Sequence, residues 1–194
     1  KVTCTFVALL LLTAFAVAPA HAQVSDDFSA ADLDTSLWSF EDPLGGNGFA
    51  TVDGRLVLSV AGGTAHDLWR DGNQSVRVVQ DVVDGDFTIE AKFETVPTQR
   101  FQMQGLLVEA APGEYQRLDF YSRGDGLRLF NVTFVDDQPT VRADLALPDP
   151  GAELWLRVQR AGSTWTTSYS LDGSDWTVAS THDLALVVTK VGVY

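Results

Sequence analysis

The stretch Ser163–Ser180, STWTTSYSLDGSDWTVAS, decides the fold. Trp165, Thr167, Tyr169 and Leu171 recur at period two, with Thr166, Ser168 and Ser170 between them. Successive side chains of a strand point to opposite faces, so this alternation marks a half-buried strand. Asp172-Gly173 then predicts a tight hairpin turn, because glycine takes the positive φ such a turn needs. Trp176 and Val178 continue on the returning strand. The shared parity of Trp165, Tyr169 and Leu171 assigns them to a core.

The same grammar extends along the chain. Turn signals recur at Asp53-Gly54, Gly62-Gly63, Asp71-Gly72, Asp84-Gly85, Pro112-Gly113, Gly124 to Gly126 and Pro148 to Gly151. Between them lie alternating runs such as GDFTIEAKFETV, RLVLSV, SVRVVQDVV, MQGLLVEA, YQRLDFYS, LRLFNVTFV and ELWLRVQR. No window carries a sustained helical stripe; SAADLDTSLW offers one helical turn at most. Many short strands with regular turns predict an all-β, antiparallel two-sheet β-sandwich.

The N-terminal end reads differently. Val2 to Ala18 is almost wholly apolar, and Ala20-His21-Ala22 is a small-x-small cleavage signal. The expectation is a signal peptide over 1–22, a secreted or periplasmic product, and one domain over 23–194. The single cysteine, Cys4, falls in that leader, so the mature domain is expected to hold no disulfide. LVVTKVGVY stops inside a strand pattern, which predicts a C-terminal truncation with further domains in the full-length chain.

Charge narrows the partners. With 26 acidic and 13 basic residues the formal net charge is −13. Nucleic acid and anionic membranes both require a basic patch, so neither is expected as a partner. The bias favours neutral glycans over anionic ones.

Taken in order, SDDFSAADLDTSLWSF, DGRLVLSV, GGTAHDLW, GDFTIEAKFE, QMQGLLVEAAPGEYQRLDFY and TWTTSYSLDGSDW resemble the concanavalin A-like lectin/glucanase superfamily. The pattern is most similar to the jelly-roll accessory modules of the β-xylosidase C-terminal type. The resemblance implies two antiparallel sheets, one bent into a concave face. It also implies a setting among secreted polysaccharide-processing proteins. It does not imply one activity, because the superfamily includes hydrolases, lectins and carbohydrate-binding modules.

Catalytic residues are not legible. Hydrolases of this superfamily carry an E-x-D-x-x-E pattern on one strand, and it is absent. Glycoside hydrolysis needs two carboxylates about 5–9 Å apart across the bond. Glu90 and Glu94 share a strand face, but Lys92 lies between them and a solvated face is the simpler reading. The expectation is a non-catalytic carbohydrate-binding or accessory module. The alternatives are a hydrolase or lyase of the same fold with an unrecognised or truncated site, and a structural or adhesion spacer.

The candidate ligand-binding residues are His66, Asp67, Trp69, Asn73, Arg77, Gln102 and Gln104. An aromatic ring stacks on the apolar face of a sugar, while Asp, Asn, Arg, Gln or His bond its hydroxyls. GGTAHDLWRDGNQSVRVVQ concentrates these types beside a flexible Gly62-Gly63, and FQMQG adds two amides of equal parity. Arg77 and Gln80 have opposite parity, so without a bulge they face opposite sides of their strand. Trp155 has opposite parity to Leu154, Leu156 and Val158, and is expected outside or against a second sheet. The resemblance further implies a structural Ca²⁺ near the termini, with Asp27 as the candidate ligand and Asp26 or Asp42 beside it.

Overall fold

The computed structural model describes residues 23–69, 72–148 and 153–194. The expected signal peptide lies outside the described residues. Thirteen strands are present among them, and no helix. They are β1 (Ser39–Glu41), β2 (Gly48–Thr51), β3 (Leu56–Ser59), β4 (Arg77–Asp81), β5 (Phe87–Phe93), β6 (Met103–Ala111) and β7 (Glu114–Ser122). They continue with β8 (Leu127–Val135), β9 (Gln138–Ala146), β10 (Leu154–Ala161), β11 (Thr164–Ser170), β12 (Thr177–Asp183) and β13 (Lys190–Val193). A seven-stranded sheet runs β1-β4-β13-β6-β7-β8-β9, and a four-stranded sheet runs β12-β11-β10-β5. All pairings are antiparallel, as the sandwich reading requires.

The core lies between these two sheets. Leu106, Val108, Leu118, Phe120, Leu127, Leu129 and Val191 face it from the larger sheet. Phe87, Leu154, Leu156, Val158 and Trp165 meet them from the smaller one. The opening hairpin therefore serves the core, with Tyr169 and Leu171 packed against it. Trp165 is fully buried, donates from Nε1 to the Leu184 carbonyl at 2.9 Å, and meets Phe87 edge-on at 5.7 Å.

Local chemistry departs from the sequence reading in the opening hairpin. The β11–β12 connection is a six-residue loop, not a two-residue turn, because Asp172 Oδ1 gathers the amides of Ser174 and Asp175, both at 2.8 Å. A bulge between Thr167 and Ser168 then shifts the register of the returning strand. SAADLDTSLW makes the single turn expected of it, where Trp38 N donates to Asp34 O at 2.8 Å. Asp53-Gly54 likewise makes the tight hairpin expected of it, both residues at positive φ, with Val52 and Arg55 exchanging backbone bonds.

The terminal run is a central strand. β13 pairs with β4 on one side and β6 on the other. At its middle a Cβ on Gly192 would overlap the Val78 carbonyl oxygen and lie 2.7 Å from Val79 Cα, so only glycine fits.

Candidate functional site

The face of the seven-stranded sheet turned away from the core is also covered. Leu107, Tyr115, Val132, Phe134 and Tyr194 form an apolar cluster there, and Leu68 lies buried on it. Leu68 belongs to the connection between β3 and β4, which crosses this face. Tyr115 holds it in place by donating its hydroxyl to the Leu68 carbonyl at 2.9 Å. Burial pushes the Tyr115 phenol well up, so it stays a donor.

An open cleft of about 750 Å³ lies beside Tyr115. Asn73, Arg77, Glu109, Asp137 and Lys190 line it, together with residues 110–113. Arg77 pairs with Glu41 from β1, and its Nε stands 3.4 Å from Glu109 Oε2. Lys190 pairs with Glu41 as well. Asn73 Nδ2 donates to Glu109 Oε1 at 2.8 Å. Burial would raise the Glu41 carboxyl, but Lys190 and Arg77 outweigh it and hold the group below its usual range. Glu41 in turn raises Lys190. Three carboxylates, Glu41, Glu109 and Asp137, thus surround the opening with two cations, Arg77 and Lys190, and offer both donors and acceptors.

The structure brings five of the seven expected binding residues to this side. Arg77 and Asn73 line the cleft. Trp69, 37% exposed, stands beyond Tyr115, edge-on to Phe134 at 5.7 Å and 6.0 Å from Phe130. Asp67 caps its own loop, accepting from Trp69 N at 2.7 Å. His66 is half-buried, with Nδ1 3.3 Å from the Gln74 carbonyl. Gln102 and Gln104 stand elsewhere. Gln102 Oε1 accepts the amides of Thr98 and Gln99, and Gln104 bonds Thr95. Gln80 faces away from Arg77, as parity demands, and clamps the Val24 backbone through both ends of its amide.

The carboxylates expected to hold calcium are engaged locally. Asp27 Oδ1 accepts from Ser29 N, and hydrogen bonding to the Ser29 side chain and then to its backbone lowers the Asp27 carboxyl. Asp26 accepts from Phe28 N and Trp38 Nε1, and Asp42 from Gly45 N and Asn47. Among the described residues no three of His, Cys, Asp and Glu converge to hold a metal.

Glu90 and Glu94 lie on the outer face of the smaller sheet. Glu90 accepts from Arg157 at 2.8 Å, and Glu94 pairs with Arg55 and Lys92. Those pairs lower Glu94, the opposite of what a general acid requires. Trp155 is on this side too, beside Lys92 and the Gly173 turn. Trp176 lies under the Arg157 guanidinium at 3.5 Å.

Residues 25–192 match the beta-xylosidase C-terminal concanavalin A-like domain. The chain belongs to that family. Solved structures of similar fold include the GH43 protein BlXynB of Bacillus licheniformis, at a TM-score of 0.70 and 18% identity over 87% of this chain and 34% of that one. Xylan beta-1,4-xylosidase of Bacillus halodurans aligns at a TM-score of 0.53 and 15% identity over 91% and 37%. Carbohydrate-binding module CBM66 of Bacillus subtilis aligns at 0.51 and 13% identity over 80% and 85%. The chain spans about a third of the length of the two GH43-type proteins. No curated protein matches it.

In this β-xylosidase C-terminal domain, sequence reading missed Glu109, Lys190 and Tyr115. Each sits in a strand whose parity was visible, but only the pairing of β13 with β6 sets Lys190 opposite Glu109. It also missed Arg117, Asp119 and Tyr194. Parity alone puts the first two with Tyr115 and Tyr121; nothing local says that this face is buried.

Proposed function

We propose that this domain binds neutral polysaccharide as a non-catalytic accessory module of a larger exported carbohydrate-processing protein. The cleft lined with donors and acceptors carries the reading. Asn73, Arg77, Glu109 and Lys190 present donors and acceptors to sugar hydroxyls around an opening of about 750 Å³, within the usual range for a ligand site. Trp69 adds an exposed aromatic edge beside it. The net charge of −13 disfavours uronate or sulfated chains. The apolar run at 2–18 and the A-x-A signal support export. Membership of the β-xylosidase C-terminal family supports a setting beside a glycoside hydrolase.

The test is retention on insoluble xylan and β-glucan, with pectate as the anionic control. Retention on the neutral polymers, lost in Arg77→Ala and Asn73→Ala at unchanged fold, is the expected result. No retention on any polymer would leave a spacer as the function.

A further inference from the structure

Beyond Trp69 the outward face of the large sheet stays open along β7, β8 and β9. Cross-strand pairing sets what it presents. Tyr121 on β7 lies opposite Arg128 on β8, and Phe130 on β8 lies opposite Asp144 on β9. Paired residues share a face, and Arg128 and Phe130 are two apart on one strand. All four therefore point outward together.

Three rings form a row there. Tyr121 meets Phe130 edge-on at 5.7 Å, and Phe130 lies 6.0 Å from Trp69. Tyr121 and Phe130 are half-exposed and Trp69 is exposed. A polar group lies beside the row. Arg128 Nε donates to Asp144 Oδ1 at 2.7 Å, and the Tyr121 hydroxyl donates to the same oxygen at 3.1 Å. Arg128 Nη2 donates to the Asp144 carbonyl at 3.2 Å. Burial and then Asp144 raise the Tyr121 phenol, so it keeps its proton.

These bonds hold the side chains in place without using them up. Both contacts to the Asp144 carboxylate fall on Oδ1, and Oδ2 accepts no hydrogen bond among the described residues. Arg128 Nη1 likewise donates none among them. One spare acceptor and one spare donor stand beside exposed ring surface. A sugar presents the complement: C–H faces for the rings and hydroxyls that both donate and accept. A protein partner fits less well. An aromatic side chain buries about 150–250 Å² in full. Three partly exposed ones fall short of the about 800 Å² each partner gives to a stable protein interface.

We infer that Tyr121, Phe130, Arg128 and Asp144, with Trp69, form a second contact platform for a neutral glycan. It rests on the glycan-binding reading above and adds a position to it. Tyr115 at the cleft and Tyr121 on the platform are six residues apart along β7, roughly 20 Å. One polysaccharide chain can engage both places and gain avidity, which a single sugar cannot.

Calorimetry and affinity electrophoresis with soluble xylan test it, on the whole chain. Asp144→Ala is expected to weaken xylan binding about tenfold or more, as for a lost bond to a charged group. Its melting midpoint should match the parent's, because an exposed ion pair contributes little to stability. Arg128→Ala is expected to behave in the same way. Unchanged affinity in both variants, with Arg77→Ala still weakening binding, would overturn the platform and spare the cleft. Weaker binding accompanied in both variants by a lower midpoint would make the pair a brace of β9 and overturn the platform too. Loss in Asp144→Ala with none in Arg77→Ala would sustain the platform and overturn the cleft. No binding of xylan by the parent chain would overturn both readings.

Discussion

Asn131 Nδ2, on β8, donates across the sandwich to Ser180 Oγ on β12 at 2.8 Å. The same nitrogen reaches Thr167 Oγ1 at 3.1 Å, and Gln116 Nε2 donates to Asn131 Oδ1 at 3.2 Å. Between two apolar sheets this polar seam fixes their relative register, since each bond has only one geometry in which it closes.

Asn131→Ala should therefore cost more than a surface change. It orphans the Gln116 amide, whose Oε1 is already buried without a partner. A loss of roughly 2–3 kcal/mol is expected for buried groups left unpaired. Urea unfolding checks it, and a loss below about 0.5 kcal/mol would show that water enters the seam.

His182 ends the seam, 3.4 Å from Ser180 Oγ through Nδ1. Burial and then Arg142 lower its pKa from 6.5 to about 4, with Asp183 opposing them. The folded state thus binds fewer protons than the unfolded one between these values. Stability should be full above about pH 6.5, fall as the pH drops toward 4, and level off below. Because the ring is half-buried, a total change of roughly 1 kcal/mol is expected after screening. Asp119 acts in the opposite sense, its raised pKa favouring the fold as it protonates. The comparison is therefore between the parent and His182→Gln, whose difference should shrink through that window. A constant difference would remove His182 as the cause.

Gly192→Ala should prevent folding, because its Cβ would overlap main-chain atoms of β4 that cannot retreat from a paired strand. Soluble yield and circular dichroism report this directly. A folded variant would mean that β13 can detach from β4.

Trp165→Phe should fold and lose about 1–2 kcal/mol, mainly the bond to Leu184. Trp165→Ala should lose about 3–5 kcal/mol, as for other buried aromatics. Equal losses would show that the hydrogen bond, not ring volume, dominates at this site.

Strand parity made the sandwich legible. Trp165 with Leu171, and Leu154 with Leu156 and Val158, stood on one face before any pairing was known. The strand β9 was missed although Val141, Ala143 and Leu145 alternate with Arg142 and Asp144, because QPTVRADLA opens beside a proline; it is an edge strand, where Pro139 is tolerated. Its turn was missed too, because Asp136 and Asp137 take positive φ without glycine. At the candidate site, Asn73 and Arg77 were legible as sugar-binding types near a glycine pair. Glu109 and Lys190 were not, because their meeting depends on contacts about eighty residues apart along the chain.

That distance has a consequence for how the molecule comes into being. β13 follows the twelve other described strands in sequence and sits between β4 and β6 in space. Until Lys190–Val193 slots in, β4 and β6 present bare hydrogen-bonding edges to each other and to other molecules. The half holding β1 and β4 and the half holding β6 to β9 cannot join before then. Assembly of the large sheet must wait for Lys190–Val193, and the waiting state is the one most exposed to mispairing.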